Sequence, residues 1–474
     1  MFRNLISTSA LFLVVYTAYG SAWPQYMHDA QNTGKTDICI QEDLSLSWTY
    51  SPPQSAPGWQ WNQPSLDDDG NIYYGAGYYF LSVNPEGLLR WSVHTEYAFI
   101  GPSAVNNGFV YFPCSEGSLY AYTQDGDFSW SYPMVQPVNC GTTVGPDGTI
   151  YIGDTTNLTV TDAYLYAVNP DGSEKWTLSF AGADGFYTTP SLDPDGTKLY
   201  AAPGNFNLYA LNAVTGVELW SYEYNSIFNL VYSSPAVAEI SGSKYILFGD
   251  LGNMGGGHWR ILDENGSERW TTSVPNSIQQ SAAIDPDGYF YLASNGSVLK
   301  KIDTSGTQLW SRTFSQGYLS NPVIEGSGRV LIGTESGYLH ILDQNTGSTL
   351  ESFYLGPNVG SPIVGSNGEV YVLYGNNILA CLEGDLSVNN EDPSSGEPFL
   401  QISRTGPTFK ISIGDNSGEC FIYNTSGRVV FSETIERDLY WSTADYPAGI
   451  YFVRVETNVN GEVIEGNAKL IVVR

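Results

Sequence analysis

Tryptophan returns at near-constant spacing through most of the chain, at Trp48, Trp91, Trp130, Trp176, Trp220, Trp270 and Trp310, and Glu351 holds the next equivalent place. The mean step is about 43 residues, the length of a four-stranded propeller blade. Each unit reads alike. A Pro-Ser-like start is followed six residues later by Gly, as at Pro64 and Gly70, Pro102 and Gly108, Pro190 and Gly196, Pro322 and Gly328, and Pro362 and Gly368. Thr142 and Gly148, and Ala282 and Gly288, keep the spacing without proline, and the fifth unit, Pro235 to Gly242, is one residue longer. An alternating strand such as Thr149 to Gly153 comes next, then a second such as Leu165 to Asn169. A Pro170-Asp171-Gly172 turn leads to a last strand that ends in Trp176.

The residue chemistry suits short antiparallel strands. Asp-Gly and Asn-Pro pairs supply the backbone angles and side-chain caps of tight hairpins. Tyr, Val, Ile and Leu alternate with small or polar residues, the period-2 mark of strands, and no sustained helical period occurs between residues 44 and 383. The 51 Gly and 25 Pro argue in the same direction. Units start at residues 64, 102, 142, 190, 235, 282, 322 and 362, so the reading is an eight-bladed β-propeller, all-β throughout. The eighth unit stops near Glu383 before its Trp strand, and the strand around Trp48 has no unit ahead of it. The orphan first strand is therefore expected to pair with Ile378 to Leu382 and close the ring, removing both free edges.

Three stretches carry a family resemblance. Ala210-Leu-Asn-Ala-Val-Thr-Gly216-Val-Glu-Leu-Trp220 resembles the tryptophan-docking motif of pyrroloquinoline-quinone-like eight-bladed propellers, and Ala167 to Trp176 is a shortened version. Ala22 to Gly34 is similar to the segment that precedes such propellers. The likeness spans residues 23 to 383. It implies the fold, which serves quinone dehydrogenases, an outer-membrane assembly lipoprotein and plain binding proteins, so function has to be argued from the site.

The ends of the chain differ from its middle. Residues 1–22 read as a secretory signal peptide, with Arg3 ahead of the apolar run Ala10 to Ala18 and small residues at Gly20, Ser21 and Ala22. No later stretch is apolar enough to span a bilayer, so no integral membrane segment is expected after cleavage. Residues 384–398 are polar and acidic, the composition of a linker. Residues 399–474 read as a small C-terminal β-sandwich with 7 basic and 9 acidic side chains. Its run through Gly427, the Asp445-Tyr-Pro-Ala-Gly449-Ile-Tyr451 stretch and the terminal Lys469 to Arg474 strand resemble the C-terminal sorting domain of type IX secretion. That resemblance implies the type IX machinery as a partner and delivery through the periplasm to the outer cell surface.

A net charge of −30 repels phosphate backbones, which excludes nucleic acid as the expected partner. The five cysteines, Cys39, Cys114, Cys140, Cys381 and Cys420, form no CxxC; Cys114 with Cys140, and Cys39 with Cys381, are pairings left open in an oxidising compartment. Quinone enzymes of the resembled family stack their cofactor on a disulfide of adjacent cysteines beside calcium. This chain has no adjacent cysteines, and the residues ahead of each unit (Gln63, Gly101, Gly141, Thr189, Ser234, Ser281, Asn321 and Ser361) are small or uncharged where they are expected to line the channel. No cofactor, metal site or catalytic residue is therefore expected. The Asp67-Asp68-Asp69-Gly70 type of run reads as a turn rather than a calcium loop, because strand residues follow directly.

In a propeller the first-to-second and third-to-fourth strand turns share one end. The other two loop sets share the opposite end, where they are long and aromatic here. Trp59, Trp61, Tyr79, Tyr97, Phe186, Tyr224, Phe228 and His258 are the candidate ligand-facing rim, suited to stack on sugars or grip a protein. The function this supports is a secreted or cell-surface, non-catalytic binding or scaffold propeller for a protein or glycan ligand. A secreted enzyme acting on an extracellular polymer and an envelope assembly scaffold are the alternatives.

Overall fold

The computed structural model describes residues 23–53, 63–99, 101–156, 162–224, 231–252, 256–315 and 317–384, and in the tail 390–391, 398–405, 408–413, 417–424, 428–442, 449–459 and 462–472. Among these described residues every regular element is a β-strand, and no helix is long and apolar enough to cross a membrane. The chain divides into two compact units. One runs to Cys39 and takes up Tyr50–Ser366 and Val370–Ala380; the other holds Ile40–Thr49, Asn367–Glu369 and Cys381–Arg474.

Eight four-stranded antiparallel sheets follow one another. The first blade is Ser65–Leu66, Ile72–Ala76, Tyr79–Val83 and Leu89–His94. Innermost strands of the next six are Ala104–Asn106, Thr143–Val144, Ser191–Leu192, Ala236–Ile240, Ala283–Asp285 and Val323–Ile324. The eighth sheet has the order Ser45–Tyr50, Ile378–Glu383, Val370–Tyr374, Ile363–Val364, so the strand that carries Trp48 completes it as expected. Across this junction the Gln63 side-chain nitrogen donates to the Pro362 carbonyl at 3.2 Å.

Burial falls from the axis outward. Ile72–Ala76 and Ile150–Gly153 are wholly buried, whereas the outer strands, such as Leu89–His94 and Gln308–Thr313, alternate exposed and half-buried residues. The second strands read as alternating in the sequence, but they lie between neighbouring sheets and are buried on both faces, whereas the fourth strands keep one face open to solvent.

The recurring tryptophan fastens one blade to the next. Trp91, Trp130, Trp176, Trp220, Trp270 and Trp310 donate their indole N–H to the carbonyls of Gln124, Pro170, Ala213, Glu264, Thr304 and Gln344, all at 2.8–3.1 Å. Each acceptor lies in the turn between the third and fourth strands of the following blade. The ring lies over the turn glycine: at Gly126, with φ of +93°, a Cβ would run into Trp91. In each case the strand pairing slips directly after the residue opposite the tryptophan, as between Ala167 and Val168 where Ala167 faces Trp176. A bulge placed there turns the strand and aims the ring across the gap. Glu351 interrupts the series for a topological reason. The third and fourth strands of the eighth blade come from opposite ends of the chain, so no hairpin turn exists there to receive an indole.

The tail forms two four-stranded sheets. One has the order Asn390–Glu391, Pro398–Thr405, Thr408–Ser412, Asp438–Ser442, and the other Val429–Ile435, Gly418–Asn424, Gly449–Val459, Glu462–Val472. Alternate residues Phe409, Ile411 and Ile413, Cys420 and Ile422, and Val453 and Val455 close a core with Trp441. The strand Asn390–Glu391 falls inside the stretch that composition marks as linker. All five cysteines are free, so neither pairing left open by the sequence is formed. Cys140 instead donates to the Gly153 carbonyl at 3.2 Å, and burial pushes its thiol up to about 12.

Candidate functional site

The residues ahead of each unit are tied to one another across the blade junctions. Thr189 accepts from the Gly141 N–H at 3.1 Å and its own N–H donates to Ser234 Oγ at 2.9 Å. Ser281 N–H donates to Asn321 Oδ1 at 2.8 Å, and Asn321 N–H to Ser361 Oγ at 3.1 Å. These small polar residues bind blade to blade rather than facing a ligand.

The channel itself is filled by the chain's own beginning. The innermost strands turn one edge toward the axis, so their N–H groups have no sheet partner. Residues 23–38 wind past them and supply the acceptors. Leu66 N–H donates to the Trp23 carbonyl, Val105 to Pro24, Leu192 to Ala30, Val237 to Gln31, Ile284 to Thr33 and Ile324 to Gly34, at 2.6–2.9 Å. In the third blade the Gln25 side chain takes this place, accepting from Val144 N–H at 2.8 Å. Asn32 Nδ2 reaches the carbonyls of Pro190 and Pro235 at 3.2 and 3.0 Å. Tyr26 Oη meets Ser281 Oγ at 2.9 Å and accepts from Asn321 Nδ2 at 3.0 Å, while Met27 N–H donates to Gln63 Oε1 at 2.8 Å. Trp23 and Met27 have no exposed surface. A buried N–H left without a partner costs roughly 1–3 kcal/mol, so this segment is a structural member of the ring. The side chains that fix its route are Gln25, Tyr26 and Asn32, with the Asp29 turn, whose Oδ1 accepts from the N–H groups of Gln31 and Thr33 at 3.1 and 3.0 Å.

The quinone group implied by the fold resemblance finds no fit here. Tyr26 and Met27 occupy the axis, the thiols are separate, and among the described residues no group of three potential metal ligands converges. In the Asp67–Gly70 turn the first carboxylate is saturated within its own blade. Asp67 Oδ1 accepts from the N–H groups of Asp69 and Asn71, and its Oδ2 from Asn71 Nδ2 and the Tyr73 hydroxyl, at 2.7–3.0 Å. Asp154 is pushed up to about 6 by burial, although the N–H groups of Tyr164 and Gln136 and the Tyr166 hydroxyl all donate to it. With no exposed surface, it holds loops in place and offers no acid or base to a substrate.

The candidate rim separates into exposed and buried parts. Tyr97 is 50% exposed. Tyr79 is partly exposed and lies against His94, with ring centres 4.7 Å apart. His258 is half-buried, its N–H bonded to Asp250 Oδ1 at 3.0 Å; that carboxylate is also gripped by Arg260 through Nε and Nη2 at 3.0 and 2.9 Å. Phe186 and Tyr224 are buried and belong to the core. Phe186 fills the space over Gly153 and meets Phe180 edge-on, and Tyr224 packs on Phe248. Trp59, Trp61 and Phe228 lie outside the described residues, as do Gly427 and Arg474. Of the candidate sorting residues, Gly449 and Tyr451 open the strand Gly449–Val459, and Lys469 faces Phe452 from the strand beside it.

The repeat reading missed part of the same end of the propeller. Tyr318, Tyr338 and Tyr354 are exposed there beside Tyr78 and Tyr97, Tyr354 at 65%. Tyr338 and Tyr354 meet edge-on at 5.2 Å. Tyr338 opens its third strand as Tyr79 does in the first blade, so aligning the units would have found it. Among the described residues, every exposed tyrosine of the blades lies at this long-loop end.

A ring closed by its first strand, docked by tryptophans and plugged by its own leading segment defines a tryptophan-docked eight-bladed propeller. The chain belongs to the family described as outer membrane protein assembly factor BamB, whose model matches residues 115–288 and 294–445. It is 24% identical over 250 residues to "Outer membrane protein assembly factor BamB" of Shewanella oneidensis; the match takes in 48% of this chain and 59% of that protein. Among solved structures, BamB from Moraxella catarrhalis superposes with a TM-score of 0.56 at 15% identity, covering 73% of this chain and 99% of that one. A quinohemoprotein alcohol dehydrogenase from Comamonas testosteroni superposes at 0.64 and 15% identity, covering 78% and 83%. At such identity the likeness is one of fold.

Proposed function

We propose that this chain is an envelope assembly scaffold that binds a protein partner through its long-loop end and performs no chemistry of its own. The observation that carries this reading is a division of labour in the propeller. The axis is filled and hydrogen-bonded by residues 23–38, while the exposed tyrosines gather at one end. Tyrosine supplies rigid contact area with a polar tip, the commonest equipment of a protein-binding surface. Membership of a family described as an outer membrane assembly factor supports the same role. Affinity purification of the tagged full chain from detergent-extracted envelopes tests it. Recovery of an outer-membrane β-barrel protein or its assembly machinery supports the role. Recovery of glycan alone, or of the bait alone, overturns it.

A second reading concerns where the scaffold works. The tail has a hydrophobic core of its own and near-balanced charge, unlike the strongly acidic chain as a whole. These properties support a module recognised by its own surface, as the sorting resemblance implies. Fusing residues 399–474 to an inert periplasmic reporter separates the alternatives. Surface delivery of the reporter supports export by type IX secretion. A reporter that stays periplasmic, with the full chain found on the periplasmic side, places the scaffold there.

A further inference from the structure

We propose that the propeller channel is a peptide-binding site whose occupant is the chain's own segment Trp23–Ile38, seated as a separable ligand that locks the ring. This inference does not depend on the proposed function. A packed core would hold its filler by apolar contact. This channel holds its filler mainly by a ladder of amides, the chemistry of strand-edge peptide recognition. One acceptor from the segment meets the inner strand of each blade from the first to the seventh, and Met27 reaches the eighth junction through Gln63.

The selectivity lies in three side chains. Gln25 replaces a backbone carbonyl opposite Val144, Asn32 bridges the carbonyls of Pro190 and Pro235, and the Tyr26 hydroxyl sits between Ser281 and Asn321. The segment also bends where few residues can. Met27, His28 and Asn32 have φ of 51°, 79° and 57°, and Gly34 has 64° with a would-be Cβ aimed at Met27. An unrelated filler would meet neither the side-chain partners nor the bends. The site therefore takes a bent peptide with a Gln, an aromatic hydroxyl and an Asn at this spacing. Past Ile38, Glu42 and Asp43 are exposed between the buried Ile40 and Leu44, which makes that peptide bond the accessible place to cut.

The test uses the full chain, carrying a protease site at Glu42–Asp43 and cut after folding. On gel filtration the released leading peptide is expected to co-elute with the ring. Amides of Leu66, Val105, Leu192, Val237, Ile284 and Ile324 should then exchange as slowly as in the uncut chain. In a cut chain with Gln25→Ala and Asn32→Ala the peptide should dissociate and those six amides exchange at least about tenfold faster. A wild-type peptide that leaves the ring on cutting overturns the proposal. So does a double variant whose peptide stays bound with unchanged exchange. Adding a synthetic peptide of residues 23–38 to a chain lacking them gives an independent reading. Binding that restores the melting temperature, and its loss in the double-substituted peptide, are expected; a folded truncated chain that ignores the peptide contradicts the site.

Discussion

The side-chain oxygen of Gln25 accepts the backbone N–H of Val144 at 2.8 Å, and its nitrogen points to the carbonyl of the same residue at 3.4 Å. A glutamine amide thus stands in for a neighbouring β-strand at the one blade where the leading segment presents a side chain instead of its backbone. Gln25→Ala leaves a buried N–H without a partner. A loss of about 1–3 kcal/mol in urea unfolding is expected, with Gln25→Glu no better, because a buried carboxylate would add a desolvation cost. A loss below about 0.5 kcal/mol would show that water or another group serves Val144 equally well.

Trp176 spans the third and fourth blades through its N–H to Ala213 and its ring over Gly216. Trp176→Phe keeps most of the ring and loses the hydrogen bond, at an expected cost of about 1 kcal/mol. Trp176→Ala removes both, and calorimetry should register roughly 3–5 kcal/mol. Equal, small losses for the two would mean that the blades hold together without this dock.

Lys244 of the fifth blade reaches back to Asp193 at 2.9 Å and also to Asp195. Burial would raise the Asp193 carboxyl, but the N–H groups of Lys198 and Thr197 and the Lys244 ammonium hold it below its ordinary 3.8. Burial would lower Lys244, but the two carboxylates hold it above 10.5. The aspartate's contribution is present above its unfolded value and lost as pH falls through its depressed folded value. The lysine's is present below its unfolded value and lost as pH rises through its raised folded one. Lys244→Met should therefore cost about 2 kcal/mol from roughly pH 5 to pH 10, and progressively less below about pH 4. A cost that does not change with acidification would assign the effect to packing of the lysine stem.

The eighth blade borrows Ser45–Tyr50 from the far end of the chain. Deleting those six residues leaves Ile378–Glu383 as an open edge, a template for pairing with other chains. Light scattering should show concentration-dependent association, and the melting temperature should fall. A deletion variant that stays monomeric and melts like the parent would rule out closure by this strand.

The sequence carried the ring in plain form. Seven tryptophans and one glutamate set the blade count, and the missing last strand at Glu383 announced the closure, because repeats write their geometry into periodic residues. The plug was hidden because its bonds run from backbone carbonyls, which every residue possesses, to amides up to 290 residues away. Phe186 and Tyr224 were read as rim because they sit in long loops, yet loops between blades fold inward over the ends of the second strands. Gly153 was the available clue: a glycine that closes Ile150–Gly153 makes room for the Phe186 ring.

Site-specific photocrosslinking in intact cells tests the central claim most directly. A photoreactive phenylalanine replaces Tyr97, Tyr318 or Tyr354 at the long-loop end, and Leu88 or Val214 at the turn end, all of them exposed. The account predicts a discrete protein adduct from the tyrosine positions, identified by mass spectrometry as an outer-membrane assembly component or client, and none from Leu88 or Val214. Adducts confined to the turn end, or no adduct from any tyrosine position in folded protein at the envelope, would contradict it.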